Sequence, residues 1–346
     1  MVSDQLLTTS ATQRKKLKEG IFMSNLSKLR VSKWSRFCAA ALLAITPEYY
    51  PLNKIKKRNQ AVKPSFEIPT SMPLETAEVN GVKVRYAQGG NSSKPTLILL
   101  SPLPQSVLAY APLWKELTSE FHVFALDMPG FGHSEGGKEY MTFEMQGLFL
   151  KYFIEFFKIR KPHIVGPDVG MAAALYYAGN FQNEIESLII GDGPGVNPSK
   201  NGSIINKMVK SRFWRVVFDL VGAETFIHAG SLLGYGNYSP NQEEIDDYVS
   251  SYSKRVGTIM QWFKNYPEGL SLVDSKLESI NVPVQIFWGD NDKFLLPENA
   301  QNLHNKLKYS KLHIFKECGH FSYQDKHGEF GKMIHDWVLE KYSLIV

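Results

Sequence analysis

A five-residue turn at the centre of the chain carries a carboxylate where chemistry can occur. Gly166-Pro167-Asp168-Val169-Gly170 lies between the apolar run 163–165 and an alanine-rich stretch. A strand–turn–helix with small residues at both ends lifts the central side chain above a sheet and exposes the following backbone N–H. An ionised aspartate there can displace a leaving group at saturated carbon, giving an ester that water hydrolyses. Taken alone, Asp168 is better explained as the N-cap of the next helix, and it is the partners below that favour the nucleophile.

Two later segments supply the partners that such a nucleophile needs. His320 follows the apolar run 311–315 and has the ordinary pKa of a general base. Asp292 follows the run 284–288, and the chain order nucleophile, acid, histidine favours it as the group that orients His320. Asp290 and Asp192 are alternatives for this orienting role. No metal or cofactor is expected, since the two cysteines lie 280 positions apart and form no metal-binding spacing.

The elements around these residues alternate between apolar runs and helical stretches. A hairpin is predicted over 75–86 around Asn80-Gly81. The alternation predicts an α/β fold with a mostly parallel, twisted sheet flanked by helices on both faces. The predicted strands are 96–100, 121–126, 163–165, 187–190, 284–288 and 311–315, and the predicted helices are 107–119, 142–159, 171–178, 298–308 and 328–342.

Residues 195–275 interrupt this alternation. They are rich in aromatic residues and show no strand pattern, so we predict a helical lid inserted between two strands of a core formed by 66–194 and 276–346. An additional helical layer with a purely structural role is the alternative.

The first 65 residues differ in composition from the core. Thirteen Lys/Arg and three acids give residues 1–63 a net charge of +10, which leaves −5 for the rest. The apolar run 37–45 is too short to span a bilayer. It fits an interfacial helix with peripheral membrane contact, a signal peptide if translation starts at Met23, or part of a disordered tail. We therefore expect a cytoplasmic or membrane-associated protein, exported in the signal case. Nucleic-acid binding is not expected, because the core shows no basic stripe.

Residues 74–342 resemble the α/β-hydrolase superfamily, and the aspartate in the turn resembles its branch of epoxide hydrolases and haloalkane dehalogenases. The segment Asp127-Met-Pro-Gly-Phe-Gly-His-Ser134 is similar to the D-x-P-G-x-G-x-S loop after the fourth strand. Trp288-Gly-x-x-Asp292-x-x-x-x-Pro297 and Gly319-His320 are similar to the acid and base segments. The resemblance implies that the backbone N–H groups of Leu103 and Val169 form an oxyanion hole.

Several positions depart from the patterns of that branch. Pro102 replaces a glycine in the oxyanion loop, and Val169 replaces the tryptophan that usually follows the nucleophile in haloalkane dehalogenases. Phe263 replaces a lid tyrosine that protonates the epoxide oxygen in epoxide hydrolases. Tyr235, Tyr238, Tyr252 and Tyr266 are the tyrosines that could substitute for it. The expected pocket residues are Phe131, Trp262, Phe263, Tyr235, Tyr238 and Phe321.

Together these features predict a cofactor-independent hydrolase that forms an alkyl ester on Asp168, with a small apolar epoxide as the first choice of substrate. A dehalogenase-like hydrolase and a non-catalytic receptor on the same scaffold are the alternatives. The sequence makes no prediction of oligomeric state.

Overall fold

The computed structural model describes residues 30–49 and 72–340. An eight-stranded sheet has the order β1-β2-β4-β3-β5-β6-β7-β8. Strands β1 and β2 form the predicted hairpin, β2 also pairs antiparallel with β4, and the remaining neighbours are parallel. The strands are β1 Leu74–Val79, β2 Val82–Gly89, β3 Thr96–Leu100, β4 His122–Leu126, β5 His163–Pro167, β6 Ser187–Gly191, β7 Val284–Gly289 and β8 Ser310–Phe315.

Strands β3 to β7 are buried on both faces because helices cover both sides of the sheet, which explains their continuous apolar sequence. The α/β fold predicted from the alternation is therefore confirmed. The helices outside the insertion are α1 Lys33–Ala44, α2 Ala111–Glu120, α3 Phe143–Phe156, α4 Val169–Phe181, α9 Glu298–Lys306, α10 Ser322–Asp325 and α11 His327–Leu339.

A helical insertion lies between β6 and β7, within the range that the sequence predicted. Its helices are α5 Ser203–Lys210, α6 Arg212–Gly234, α7 Gln242–Tyr252 and α8 Val256–Asp274. Gly222 has φ +76° inside α6, so the helix consists of two segments that meet there at a break. Within residues 30–49 and 72–340, α6 is also the helix whose length and apolar composition would fit a membrane span, and 39% of that apolar stretch is buried inside the fold.

Part of the basic N-terminal extension is folded. Ser32 caps α1, and Ser32 and Ser35 donate hydrogen bonds to Glu224 of α6. The buried side of α1 packs against α6, so the disordered alternative is wrong for this part of the extension. The remainder of residues 1–65 lies outside the described residues, and the signal-peptide alternative stays a prediction.

Candidate active site

The turn that carries Asp168 is tight enough to exclude side chains at its ends. Asp168 connects β5 to α4 with φ +50° and ψ −126°, a conformation that is rare for a residue other than glycine. A Cβ on Gly166 would lie 2.7 Å from the carbonyl oxygen of Gly170, and one on Gly170 would lie 2.8 Å from Cβ of Leu100. Glycine at both positions therefore permits the strained turn that raises the Asp168 carboxylate above the sheet.

Both carboxylate oxygens of Asp168 have specific donors. Oδ1 accepts the backbone N–H of Val169, while Oδ2 lies 2.9 Å from Nε2 of His320. The N-cap alternative is therefore only partly right: Asp168 does occupy the cap position of α4, but its second oxygen is committed to the histidine.

The carboxyl ends of β7 and β8 place the other two residues against this turn. Asp292 is fully buried, and its Oδ1 accepts the backbone N–H groups of Phe294 at 2.8 Å and Leu295 at 3.1 Å. Its Oδ2 lies 2.8 Å from Nδ1 of His320. The backbone N–H of His320 donates to the carbonyl of Gly234 at 2.8 Å, so the insertion also helps to hold this residue.

The charges around His320 favour the imidazolium. Burial acts to lower the pKa of His320, but the carboxylates of Asp292 and Asp168 outweigh it and raise that pKa well above its usual range. Burial also raises the pKa of Asp168, an effect that the hydrogen bond and charge of His320 oppose. Since both ring nitrogens of His320 face carboxylate oxygens, only the doubly protonated ring can donate to both. The geometry of the site fits an imidazolium held between two carboxylates.

The two alternative acids have other partners. Asp192 accepts a hydrogen bond from the Gly289 N–H at 3.0 Å and another from the Ser322 hydroxyl. Burial, followed by the nearby charge of Asp292, raises the pKa of Asp192 well above its usual value. Asp290 accepts the N–H of Cys318 at 3.1 Å. Neither group hydrogen-bonds to His320, and Asp292 alone of the three does.

The predicted oxyanion donors, Leu103 and Val169, come from different elements of the fold. Leu103 follows β3 in the loop 101–106 and lines the same cavity as Asp168 and Val169. Within the described part of the chain, the Leu103 N–H donates to no protein acceptor in any hydrogen bond of this loop.

An apolar cavity lies beside Asp168 and His320, between the sheet and the insertion. Helices α5, α6 and α8 form its outer wall. Among its lining residues, Asp168, His320, Trp262 and Tyr266 are those whose side chains contain nitrogen or oxygen. The remaining lining residues are Leu103, Pro104, Val169, Pro194, Ile204, Ile205, Met208, Phe218, Phe226, Ala229, Gly230, Phe263, Phe294 and Leu295.

Two of the six expected pocket residues, Trp262 and Phe263, line this cavity, and four do not. Phe131 packs edge-on behind Trp262, with ring centroids 5.6 Å apart. Phe321 packs on His320 at 5.1 Å from outside the cavity. The side chains of Tyr235 and Tyr238 lie in a buried polar network outside the cavity. The hydroxyl of Tyr235 donates to Gln324 Oε1 at 2.5 Å, and that of Tyr238 donates to Glu244 Oε1 at 2.9 Å. The prediction was wrong for these four because aromatic composition does not specify which face of a helix points inward.

Of the four tyrosines named as substitutes for the missing lid tyrosine, Tyr266 lines the cavity. Its hydroxyl hydrogen-bonds to Ser199 Oγ at 2.9 Å and Asn201 Oδ1 at 3.1 Å. The hydroxyl of Tyr252 instead lies between Gly132 N–H (3.1 Å) and the carbonyl of Gln105 (2.8 Å), where it joins two loops.

A second charged cluster, centred on Asp127, was not found from the sequence. The Asp127 carboxylate accepts Nε of Arg85 at 2.6 Å and the N–H of Val107 at 2.8 Å, and Arg85 also pairs with Asp247 of α7 at 2.7 Å. A Cβ on Gly132 would lie 2.1 Å from the Asp127 carboxyl carbon, which explains the glycine. The D-x-P-G-x-G-x-S segment was the available signal, since its first residue proves to be the centre of this cluster.

Comparison with known proteins finds similarity to hydrolases and to the alpha/beta hydrolase fold. The model of the alpha/beta hydrolase fold family matches residues 95–326. Human epoxide hydrolase 4 is 22% identical over 280 residues, covering 76% of this chain and 77% of its own. Human serine hydrolase BPHL is 24% identical over 291 residues, covering 80% and 94%. The crystal structure of haloalkane dehalogenase DbeA from Bradyrhizobium elkani superposes with a TM-score of 0.68 at 18% identity, covering 78% and 98%. At this identity the structural likeness shows the fold alone.

Proposed function

Because this chain belongs to the alpha/beta hydrolase fold family, we propose that it is a cofactor-independent hydrolase that forms an alkyl ester on Asp168 with a small apolar substrate. The observation that carries the proposal is the array in which His320 lies 2.9 Å from Asp168 Oδ2 and 2.8 Å from Asp292 Oδ2. Human serine hydrolase BPHL, which is 24% identical to this chain, is named a serine hydrolase. In this chain the turn holds Asp168 instead of a serine.

The two oxygens of Asp168 have separate tasks in the proposed reaction. Oδ2 attacks the substrate carbon and forms the new C–O bond as the leaving group departs. Oδ1, held by the Val169 N–H, becomes the carbonyl oxygen of the ester. When water attacks the ester carbon, negative charge develops on Oδ1, where the N–H groups of Val169 and Leu103 stabilise it.

Ester formation also converts His320 into a base. In the resting site, two carboxylates hold the pKa of His320 high. The ester removes the charge of Asp168, so this pKa falls and the ring can lose its second proton. Neutral His320, oriented by Asp292, then accepts a proton from the attacking water. The histidine is thus suited to the second step only after the first has occurred.

An epoxide is the substrate class that we favour, and the helical insertion is its lid. Ring opening leaves an alkoxide that needs a proton. Tyr266 is the lining residue with a hydroxyl, which would have to turn from Ser199 and Asn201 toward the substrate to give it. Human epoxide hydrolase 4 is among the relatives, which supports this choice.

A haloalkane is the second candidate, because a departing halide needs no proton and the cavity holds no tyrosine at position 263. The indole N–H of Trp262 would be its hydrogen-bond donor. Tyr266→Phe separates the two classes: epoxide turnover should fall by about 10²-fold or more, while haloalkane turnover should stay within twofold.

The proposal is tested by trapping the ester. His320→Gln removes the base but leaves the nucleophile, so incubation with a panel of epoxides and haloalkanes should add the substrate's mass to the peptide that contains Asp168. The Asp168→Asn/His320→Gln double variant is the control and should gain no mass. Absence of an adduct across the panel, together with ligand-induced thermal stabilisation of the parent, would instead favour the receptor alternative.

A further inference from the structure

Helix α1 presents large apolar side chains to solvent. Trp34 and Phe37 are each 66% exposed, and their rings stack with centroids 6.0 Å apart. Ile45, just past the helix end, is 49% exposed. Cys38 and Leu42 on the other side are buried against the insertion. The helix is therefore apolar on both sides, although only one side has protein to pack against.

The first segment of α6 shows the same feature. Phe213, Val216 and Leu220 follow helical spacings of three and four residues, which place them on one side of the helix. Phe213 is 67% exposed and Leu220 is 80% exposed. Phe218, between them in sequence, points inward and lines the cavity.

These two sets are joined by Lys207 of α5. Its ammonium donates to the carbonyl oxygen of Ile45 at 2.9 Å and lies 5.0 Å above the ring of Trp214. Trp214 in turn packs edge-on against Phe213 at 5.6 Å. The two helices that carry the exposed side chains pack against each other, and we refer to these six side chains as the outer apolar face. They are Trp34, Phe37, Ile45, Phe213, Val216 and Leu220.

The surroundings of the outer apolar face are basic. Seven Lys/Arg and three acids occur in residues 30–49 and 203–224, a net charge of +4. Two of the acids are engaged locally: Glu48 accepts hydrogen bonds from Ser203 and Glu224 accepts them from Ser32 and Ser35. The chain beyond residue 63 has the opposite balance, −5. Exposed aromatic residues within a basic rim are the combination that binds anionic lipid surfaces.

We propose that the outer apolar face docks into the headgroup region of an anionic lipid bilayer. A second copy of the chain fits less well, because a symmetric contact would bring the two basic rims together. Docking places α5 and α6 at the bilayer, and the inner sides of these helices, through Ile204, Met208 and Phe218, line the cavity. Apolar molecules dissolved in the bilayer would then reach the site across these two helices.

The test is flotation of the full chain with vesicles of phosphatidylcholine alone or mixed with phosphatidylglycerol. We expect binding to the anionic vesicles that weakens with salt. Trp34→Ser/Phe37→Ser and Phe213→Ser/Leu220→Ser should each reduce it at least tenfold. Phe156→Ser, an exposed aromatic of α3, is the matched control and should bind as the parent does. Lys210→Glu/Arg212→Glu should also bind more weakly, by about fivefold or more per charge.

A second measurement needs no surface variant other than Trp34→Phe. Lipids with brominated acyl chains should quench the fluorescence that the parent has and Trp34→Phe lacks. Equal binding to both vesicle types, unchanged binding of the serine variants, or unquenched Trp34 would overturn the proposal. So would a dimer in light scattering that those variants abolish, since a second copy would then occupy the face. Asp168→Asn should bind vesicles as the parent does, so this result is independent of the ester test.

Discussion

Replacing Asp292 by asparagine should leave the shape of the site intact, but His320 should no longer be able to act as a base. Asp292 Oδ1 accepts two backbone N–H groups, from Phe294 and Leu295. The oxygen of an asparagine would stay there, so its NH₂ group would face His320. Nδ1 would then have to accept that hydrogen bond, and the single ring proton would move to Nε2. A ring protonated at Nε2 cannot take a proton from water.

The size of the effect follows from the geometry. Coulomb's law across the 2.8 Å between Nδ1 and Oδ2, with an effective dielectric constant of about 20, gives about 6 kcal/mol for the imidazolium formed as water attacks. That corresponds to roughly four decades in rate. The loss should fall on ester hydrolysis, whereas alkylation of Asp168 should slow much less.

Rapid-quench single-turnover experiments followed by intact-mass analysis separate these steps. In Asp292→Asn, the ester should form and then persist. The control is Asp290→Asn, whose carboxylate lies two residues away and accepts the Cys318 N–H instead; its hydrolysis rate should stay within twofold of the parent. A hydrolysis rate in Asp292→Asn within tenfold of the parent would refute the reasoning.

Three further predictions concern the turn, the buried network and the cavity. Gly170→Ala should lower the free energy of unfolding by about 1–3 kcal/mol in chemical denaturation, because its Cβ would lie 2.8 Å from Leu100, whereas Gly328→Ala, with open space around it, should not destabilise. Burial raises the pKa of Glu244 to about 7, so the folded state holds this proton more tightly than the unfolded state and the free energy of unfolding falls as pH rises from about 4.5 to 7. In thermal melts across this pH range, Glu244→Gln should remove up to about 3 kcal/mol of that fall. Equal pH slopes for the parent and the variant would contradict the assignment. Phe263→Tyr should speed epoxide turnover by adding a second hydroxyl to the cavity lining beside that of Tyr266, and an unchanged steady-state rate would show that protonation does not limit turnover.

The positions of the three chemical residues could be predicted because they follow from the sheet. Asp168, Asp292 and His320 each come soon after a parallel strand, and the carboxyl ends of parallel strands meet at one edge. Chain order did not separate Asp292 from Asp192, since both lie between Asp168 and His320. The resemblance of segment 288–297 to the family's acid segment favoured Asp292, and the hydrogen bond to Nδ1 agrees with it.

The cavity wall could not be predicted in the same way. Its residues come from helices whose orientation depends on tertiary packing, on the break at Gly222 and on the folded segment around α1. Tyr235 and Tyr238 have the composition expected of a pocket, yet their hydroxyls satisfy a buried carboxamide and carboxylate. Ile204, Met208 and Phe294 line the cavity without any motif to mark them.

The most direct measurement of the central claim is the origin of the oxygen in the product. After many turnovers in water enriched in ¹⁸O, the peptide that contains Asp168 should carry the isotope, because water attacks the carboxyl carbon and the original oxygen leaves with the product. In a single turnover by unlabelled enzyme, the oxygen added to the product should come from Asp168 and not from the labelled water. Product labelled in the first turnover, with no isotope in the Asp168 peptide, would show that water attacks the substrate directly and would contradict the role assigned to Asp168.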